Sequence, residues 1–218
     1  MRRTRTRVHG AACVELVLVL GFGLLPLALG ILQISLALCA HHTLNLAALL
    51  AVRAGSVAQA DPDIMRRRLA TGLVALYLPN DQDPARDAGA LLQAQLQALA
   101  DLELFGAVRM VSPTAAMADD FAIRRSGQRV IPNDALQVRS QAMGAASGVS
   151  LQSANVLEVE FTYCLPMIVP LVDVTLSSFL SLLDADTLHR RCYADRRLPL
   201  VSHVRLPMQS DARSWGTD

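Results

Sequence analysis

No lysine occurs anywhere in the 218 residues, and all twenty basic side chains are arginines. Nineteen acidic residues oppose them, so the formal net charge is +1 and a global electrostatic attraction to nucleic acid is excluded. Without lysine there is no P-loop signature either, and Gly144 and Ser147-Gly148 stand in a small-residue loop with no support for nucleotide binding. Ser202, His203 and Asp211 supply the residue types of a hydrolase triad, but no Gly-x-Ser-x-Gly elbow accompanies them and strand neighbours face opposite ways. Aromatic residues are scarce at 4%, whereas hydrophobic residues reach 52% and mean hydropathy is +0.34. The chain is too apolar for an average soluble domain, yet long enough for one globular unit beyond a membrane segment. No internal repeat is evident.

What is present begins at the amino terminus. Arg2, Arg3, Arg5 and Arg7 precede any acidic residue, and Ala11 opens an apolar run to about Ala40 broken only by Glu15, Gln33 and Ser35. About 20 residues at about 1.5 Å each cross a hydrocarbon layer of about 30 Å, and Leu16 to Ala40 exceeds that length. The run is therefore expected to be a transmembrane helix in a lipid bilayer, its arginine-flanked end cytoplasmic and the remainder on the far side. A secretory signal peptide is the competing reading, but its apolar core is usually about 7 to 15 residues before a small-residue cleavage site. Ala37-Leu-Cys39-Ala40 imitates such a site in a run that is too long. A lipoprotein reading fails because Leu36-Ala-Leu-Cys39 lies deep in the run and lacks a small residue before Cys39.

Within Arg7-Val-His-Gly10-Ala11-Ala-Cys-Val-Glu15-Leu16, a glycine ends the polar leader and a carboxylate follows five residues later in apolar sequence. A charge inside a bilayer costs about 2.5–3.5 kcal/mol on insertion scales, so such an acid either stays hydrated near the headgroups or pairs for a purpose. The combination resembles the class III signal of type IV pilins and pseudopilins. It is more closely similar to the TadE/TadF/TadG group of tight-adherence pilus assembly proteins, matching at Gly10, Ala11, Ala12, Val14, Glu15 and Leu16 to Leu20 and covering roughly the first 55 residues. The resemblance implies that a prepilin peptidase cuts between Gly10 and Ala11. Glu15, then the fifth mature residue, would pair with the new amine of Ala11 on a neighbouring subunit. Gly21, Gly23, Pro26 and Gly30 allow close helix approach and a local kink.

Beyond the span the helical, alanine-rich pattern continues to about Ala60, where Asp61-Pro62-Asp63 stops it. A second helix is expected over Ile64 to Tyr77, capped by Asp61 or Asp63, and a third over Ala85 to about Leu104 after Pro79-Asn-Asp-Gln-Asp-Pro84. Strands are expected at Ala107–Val111, Ala135–Arg139, Val156–Tyr163 and Leu198–Arg205. The clearest is Leu157-Glu-Val-Glu-Phe-Thr-Tyr163, apolar at odd positions and polar at even ones, which fits a sheet with one solvated face. Two prolines and Asp173 argue against a second span at Leu165–Leu183, leaving a loop followed by a buried or membrane-resting helix and an apolar patch suited to a partner. The expected class is α+β, with a basic leader over 1–10, a transmembrane helix and its extension over 11–60, and an extracytoplasmic domain of helices packed on a small antiparallel sheet over 61–218.

Cys164 follows one strand and Cys192 precedes the last. Antiparallel pairing of those strands would bring the thiols together, and a disulfide there would constrain the unfolded chain by about 3 kcal/mol. The alternative is two buried, unpaired thiols. Cys13 and Cys39 read as small apolar residues of the membrane helix. His41-His42 point to different sides of a helix and make a poor metal pair, so no metal or other cofactor is expected. These readings converge on a non-enzymatic, pilin-like component of a tight-adherence pilus apparatus in the bacterial inner membrane, with the prepilin peptidase, other pilin-like subunits and tight-adherence membrane components as partners. The alternative is an uncleaved, signal-anchored periplasmic scaffold of an envelope secretion complex.

Overall fold

The computed structural model describes residues 9–78 and 88–216, with side chains from Val14 onward. Residues 1–8 of the expected 1–10 leader and the Pro79–Pro84 punctuation lie outside the described residues. A long apolar helix comes first, built from α1 (His9–Val19), a π turn (Leu20–Leu24) and α2 (Leu25–Val57). Pro26 explains the wide turn. A proline has no N–H and its ring clashes with the carbonyl four residues earlier, here that of Phe22. Widening to a π turn relieves this, and the Leu25 N–H donates to the carbonyl of Leu20 five residues back. The expected local kink at Pro26 thus takes the form of a π turn.

The continuous helical stretch Val14–Val57 is 44 residues, with a mean hydropathy of 2.3 in its most apolar window, and is long and apolar enough to cross a membrane. At about 1.5 Å per residue it measures about 66 Å, twice a hydrocarbon layer, so only one part of it matches a bilayer. Exposure changes along its length. Nearly every side chain from Val14 to Leu36 is exposed except the buried Gln33, whereas Ala40, Leu44, Ala47, Ala48, Ala51 and Val52 recur at helical spacing as a buried stripe.

The chain divides into two compact units that interleave along the sequence. One comprises the described residues through Cys39 together with Leu165–Leu198; the other comprises Ala40–Cys164 and Pro199–Asp218.

In the larger unit the small residues of α2 admit α3 (Pro62–Leu73) at close range. A Cβ on Gly72 would lie 2.5 Å from that of Ala47, while Gly55 meets Met65, so the helices run antiparallel. Asp61 caps α3 as expected, its carboxylate accepting the N–H groups of Asp63 (2.8 Å) and Ile64 (3.3 Å), with Pro62 in the first turn. A short 3-10 turn (Val74–Leu76) and α4 (Ala88–Phe105) follow. The sheet orders β1 (Gly106–Ser112), β4 (Val156–Pro166) and β5 (Arg197–Pro207) with β4 central. Gly106 faces Tyr163 and Met110 faces Val159 in antiparallel register. Leu157, Val159, Phe161 and Tyr163 are fully buried, while Glu160 pairs with Arg109 and His203, and Glu158 with Arg205. The opposite order of the last two pairs sets β5 antiparallel to β4. The expected alternation, and the α+β class with a long apolar amino-terminal helix, are both observed.

Between β1 and β4 lie α5 (Ala115–Phe121), a hairpin of β2 (Ile123–Arg125) and β3 (Gln128–Val130), and α6 (Leu151–Ala154). The strand expected at Ala135–Arg139 is a turn instead. Arg139 donates to the main-chain carbonyl and the carboxylate of Asp134, and Gln152 donates to the carbonyls of Leu136 and Arg139, so side chains take the groups a sheet ladder would use. Ala135 has a φ of 53°, incompatible with a strand.

In the smaller unit, residues 167–171 lead into α7 (Val172–Leu183), which packs beside α8 (Thr187–Ala194). The helix expected here as buried or membrane-resting is present, with Ser177 its one buried residue. Asp186 caps α8 through the N–H groups of Leu188 and His189. Asp184 accepts from the Asp186 N–H, His189 Nδ1 and the Tyr193 hydroxyl, and these bonds, the backbone one foremost, hold its carboxyl below the usual aspartate value. Cys164 and Cys192 are disulfide-bonded, as expected, with Cys192 on α8 just before β5.

Candidate functional site

Three residues singled out in the sequence fall on α1. The Gly10–Ala11 peptide is helical, one residue beyond His9, where the described residues begin. Glu15 lies just over one turn further on. It is exposed between Val14 (61%) and Leu16 (59%), and the residues stacked above it on the same face, Leu18, Val19 and Phe22, are exposed and apolar. No Asp, Glu, Lys or Arg occurs between Glu15 and Arg53. Among the described residues no ion pair engages its carboxylate.

Glycines follow further along the same helix. A Cβ built on Gly21, Gly23 or Gly30 meets nothing within 4 Å, so the helix backbone is open at each of these positions, Gly21 and Gly23 on nearly opposite sides of it. In membrane helices such openings let a second helix approach closely enough for dispersion to act between backbones. The arrangement therefore offers one acid in an otherwise apolar stretch of helix, followed by isolated glycines. A lone carboxylate on such a surface can pair with a cation that a neighbouring helix brings to it.

Gln33 was expected only to interrupt the apolar run. It is buried, and its Oε1 accepts the main-chain N–H of Val169 at 3.2 Å. Its being a lone amide among aliphatic side chains was the signal; what it binds, 136 residues later, had none.

The discounted enzymatic constellations stay apart. Ser202 is buried, His203 faces Glu160, and Asp211 accepts from Arg125 (2.8 Å) and the Asn133 N–H (2.9 Å). His41 Nε2 lies 3.0 Å from the Val201 carbonyl, while His42 is exposed on another side of α2. Among the described residues no group of three or more His, Cys, Asp or Glu side chains is placed to hold a metal ion. Gly144 and Ser147 belong to a loop folded around Asp120, whose carboxylate accepts the Ser147 hydroxyl and the N–H groups of Ala146 and Ser147.

No protein-family model, curated protein or solved structure matches this chain.

Proposed function

We propose that this chain is a pilin-like structural subunit of a tight-adherence pilus assembly or secretion apparatus, cut after Gly10 by a prepilin peptidase and packed into its machine through Glu15. The observation that carries the reading is the solitary exposed carboxylate of Glu15, five residues beyond Gly10 on a helix long and apolar enough to span a bilayer. Left alone in hydrocarbon it is costly. Cleavage creates an α-amine at Ala11, the nearest counter-charge a second copy or a related subunit would bring to the same depth. Pairing removes both charges from lipid together, so loss of either partner leaves the other exposed to it.

On this reading α1, the π turn and the first part of α2 cross the bacterial inner membrane once. The arginine-rich end is cytoplasmic. The larger unit and the disulfide then lie in the periplasm, an oxidising compartment that suits Cys164–Cys192. Partners are the prepilin peptidase, other pilin-like subunits and tight-adherence membrane components.

Glu15→Ala tests the packing role in the native host. The variant is expected to reach the membrane fraction at wild-type level and to be lost from the cross-linked pilus machine. Incorporation and pilus formation at wild-type level would refute the pairing mechanism.

A further inference from the structure

We infer that α7 is embedded in the leaflet through which the amino-terminal helix leaves the bilayer, its apolar face among the lipid acyl chains. This rests on the membrane-crossing part of the proposed function and not on its pilus assignment. Pro26, Leu29 and Gly30 of α2 line one apolar groove, of about 430 Å³, together with Leu176 and Phe179 of α7. Their depth is set by the chain. Pro26 and Gly30 lie 11 and 15 residues beyond Glu15, about 16 and 22 Å along the helix, and Gln33 lies at about 27 Å, all within the about 30 Å of hydrocarbon that begins near Glu15. A helix seated beside them occupies the same layer.

The surface chemistry of α7 fits that layer. Leu182 (83% exposed), Ile168 (74%), Leu171, Phe179 and Leu183 are bare, and no charged residue occurs between Asp173 and Asp184. Three of the four α7 hydroxyls are satisfied inside the helix, as hydrocarbon requires: Thr175 donates to the Leu171 carbonyl at 2.8 Å, Ser177 to that of Asp173 at 2.6 Å and Ser181 to that of Ser178 at 2.9 Å, while the fourth, Ser178, lies on the polar flank. The one acid on the helix, Asp173, accepts from Arg196 at 3.4 Å. At 12 residues, about 18 Å, α7 is too short to span, which fits a helix lying in one leaflet.

The opposite flank of α7 is polar. Ser178, Ser181, Arg190 and Arg196 line a groove of about 470 Å³ suited to lipid phosphates. The Gln33–Val169 bond completes the picture, because it shelters the one amide of the span under the loop that leads into α7. Acyl chains are the occupant because the span bares Leu27, Ile31 and Leu32 at the same level of the helix, and lipid that meets them there surrounds α7 as well.

Nitroxide labels on the full chain in proteoliposomes test this. In a Cys13→Ala/Cys39→Ala background that keeps the disulfide, Phe179→Cys and Leu182→Cys report on α7. Leu27→Cys serves as the span reference and Val138→Cys, fully solvent-facing, as the aqueous one. Collision with dissolved oxygen is expected to exceed collision with a water-soluble nickel chelate several-fold at 179 and 182, as at 27, with the reverse at 138. Nickel-dominated access at 179 and 182 while position 27 stays oxygen-dominated overturns the inference and leaves the span standing. Nickel-dominated access at 27 as well overturns both. Protection from both reagents at 179 and 182 means that protein covers the face, and overturns it too.

Discussion

Gln33 Oε1 accepts the Val169 N–H at 3.2 Å, joining a side chain in the amino-terminal apolar run to the main chain of the loop before α7. Both residues are buried. Replacing Gln33 by leucine leaves that N–H without an acceptor, at about 1–3 kcal/mol. The same change removes Gln33 Nε2, which has no partner among the described residues, so the net loss is expected near the lower end, about 1 kcal/mol. Thermal unfolding in detergent is expected to show Gln33→Leu melting about 2–4 °C lower. An unchanged midpoint would mean the bond contributes nothing.

Gly72 and Gly21 make a contrasting pair. A Cβ on Gly72 would sit 2.5 Å from the Cβ and 2.8 Å from the Cα of Ala47, and backbone cannot yield without parting α3 from α2. Gly72→Ala is expected to destabilise by about 1–3 kcal/mol although alanine is the better helix former by about 1 kcal/mol. Gly21→Ala meets open space and is expected to leave the melting temperature of the isolated protein unchanged or higher. If the helix surface at Gly21 receives another helix, the Gly21 variant loses co-assembly without losing stability. Equal melting of the two variants would contradict the packing described for α3.

The disulfide predicts a labelling pattern. Denatured without reductant, the protein is expected to expose only the Cys13 and Cys39 thiols to alkylation, and a peptide map should recover Cys164 linked to Cys192. The Cys164→Ala/Cys192→Ala variant is expected to lose about 3 kcal/mol, the loop-closure term. Four alkylated cysteines would contradict the bond.

Asp120 predicts a pH response. The Ser147 hydroxyl, first, and then the N–H groups of Ala146 and Ser147 hold its carboxyl below the ordinary value of 3.8. A carboxyl depressed in the folded state stabilises above the unfolded-state value, and that contribution disappears as pH falls through the folded-state value. The melting temperature of the wild type is therefore expected to fall more steeply below about pH 4 than that of Asp120→Asn, which lacks the anchoring charge at every pH. Parallel curves would show that the carboxylate does not anchor the loop.

Most of the fold was legible where its causes are local. The apolar run, the Asp61 cap and the alternation of Leu157 to Tyr163 each depend on neighbours a few residues away, and each is observed. Ala135–Arg139 was misread because its turn is closed by Arg125 and Arg139 on Asp134 and by Gln152, contacts that strand propensity does not encode. The β2–β3 hairpin was missed although Ser126-Gly127 carried its signal, with φ of 50° and 81°, because its arginine-rich strands lack an apolar alternation. Of the candidate site, Gly10, Ala11 and Glu15 were singled out by spacing alone, and their role is the proposal that the amino-terminal mass tests. The partner of Gln33 was not, since only tertiary structure brings Val169 to it.

The most direct test of the central claim is the mass of the amino terminus of the membrane-extracted protein, compared between cells with and without the prepilin peptidase. The account predicts a chain beginning at Ala11 when the peptidase is present and one retaining residues 1–10 when it is absent. An uncut amino terminus in both strains would contradict it and leave a signal-anchored scaffold in its place.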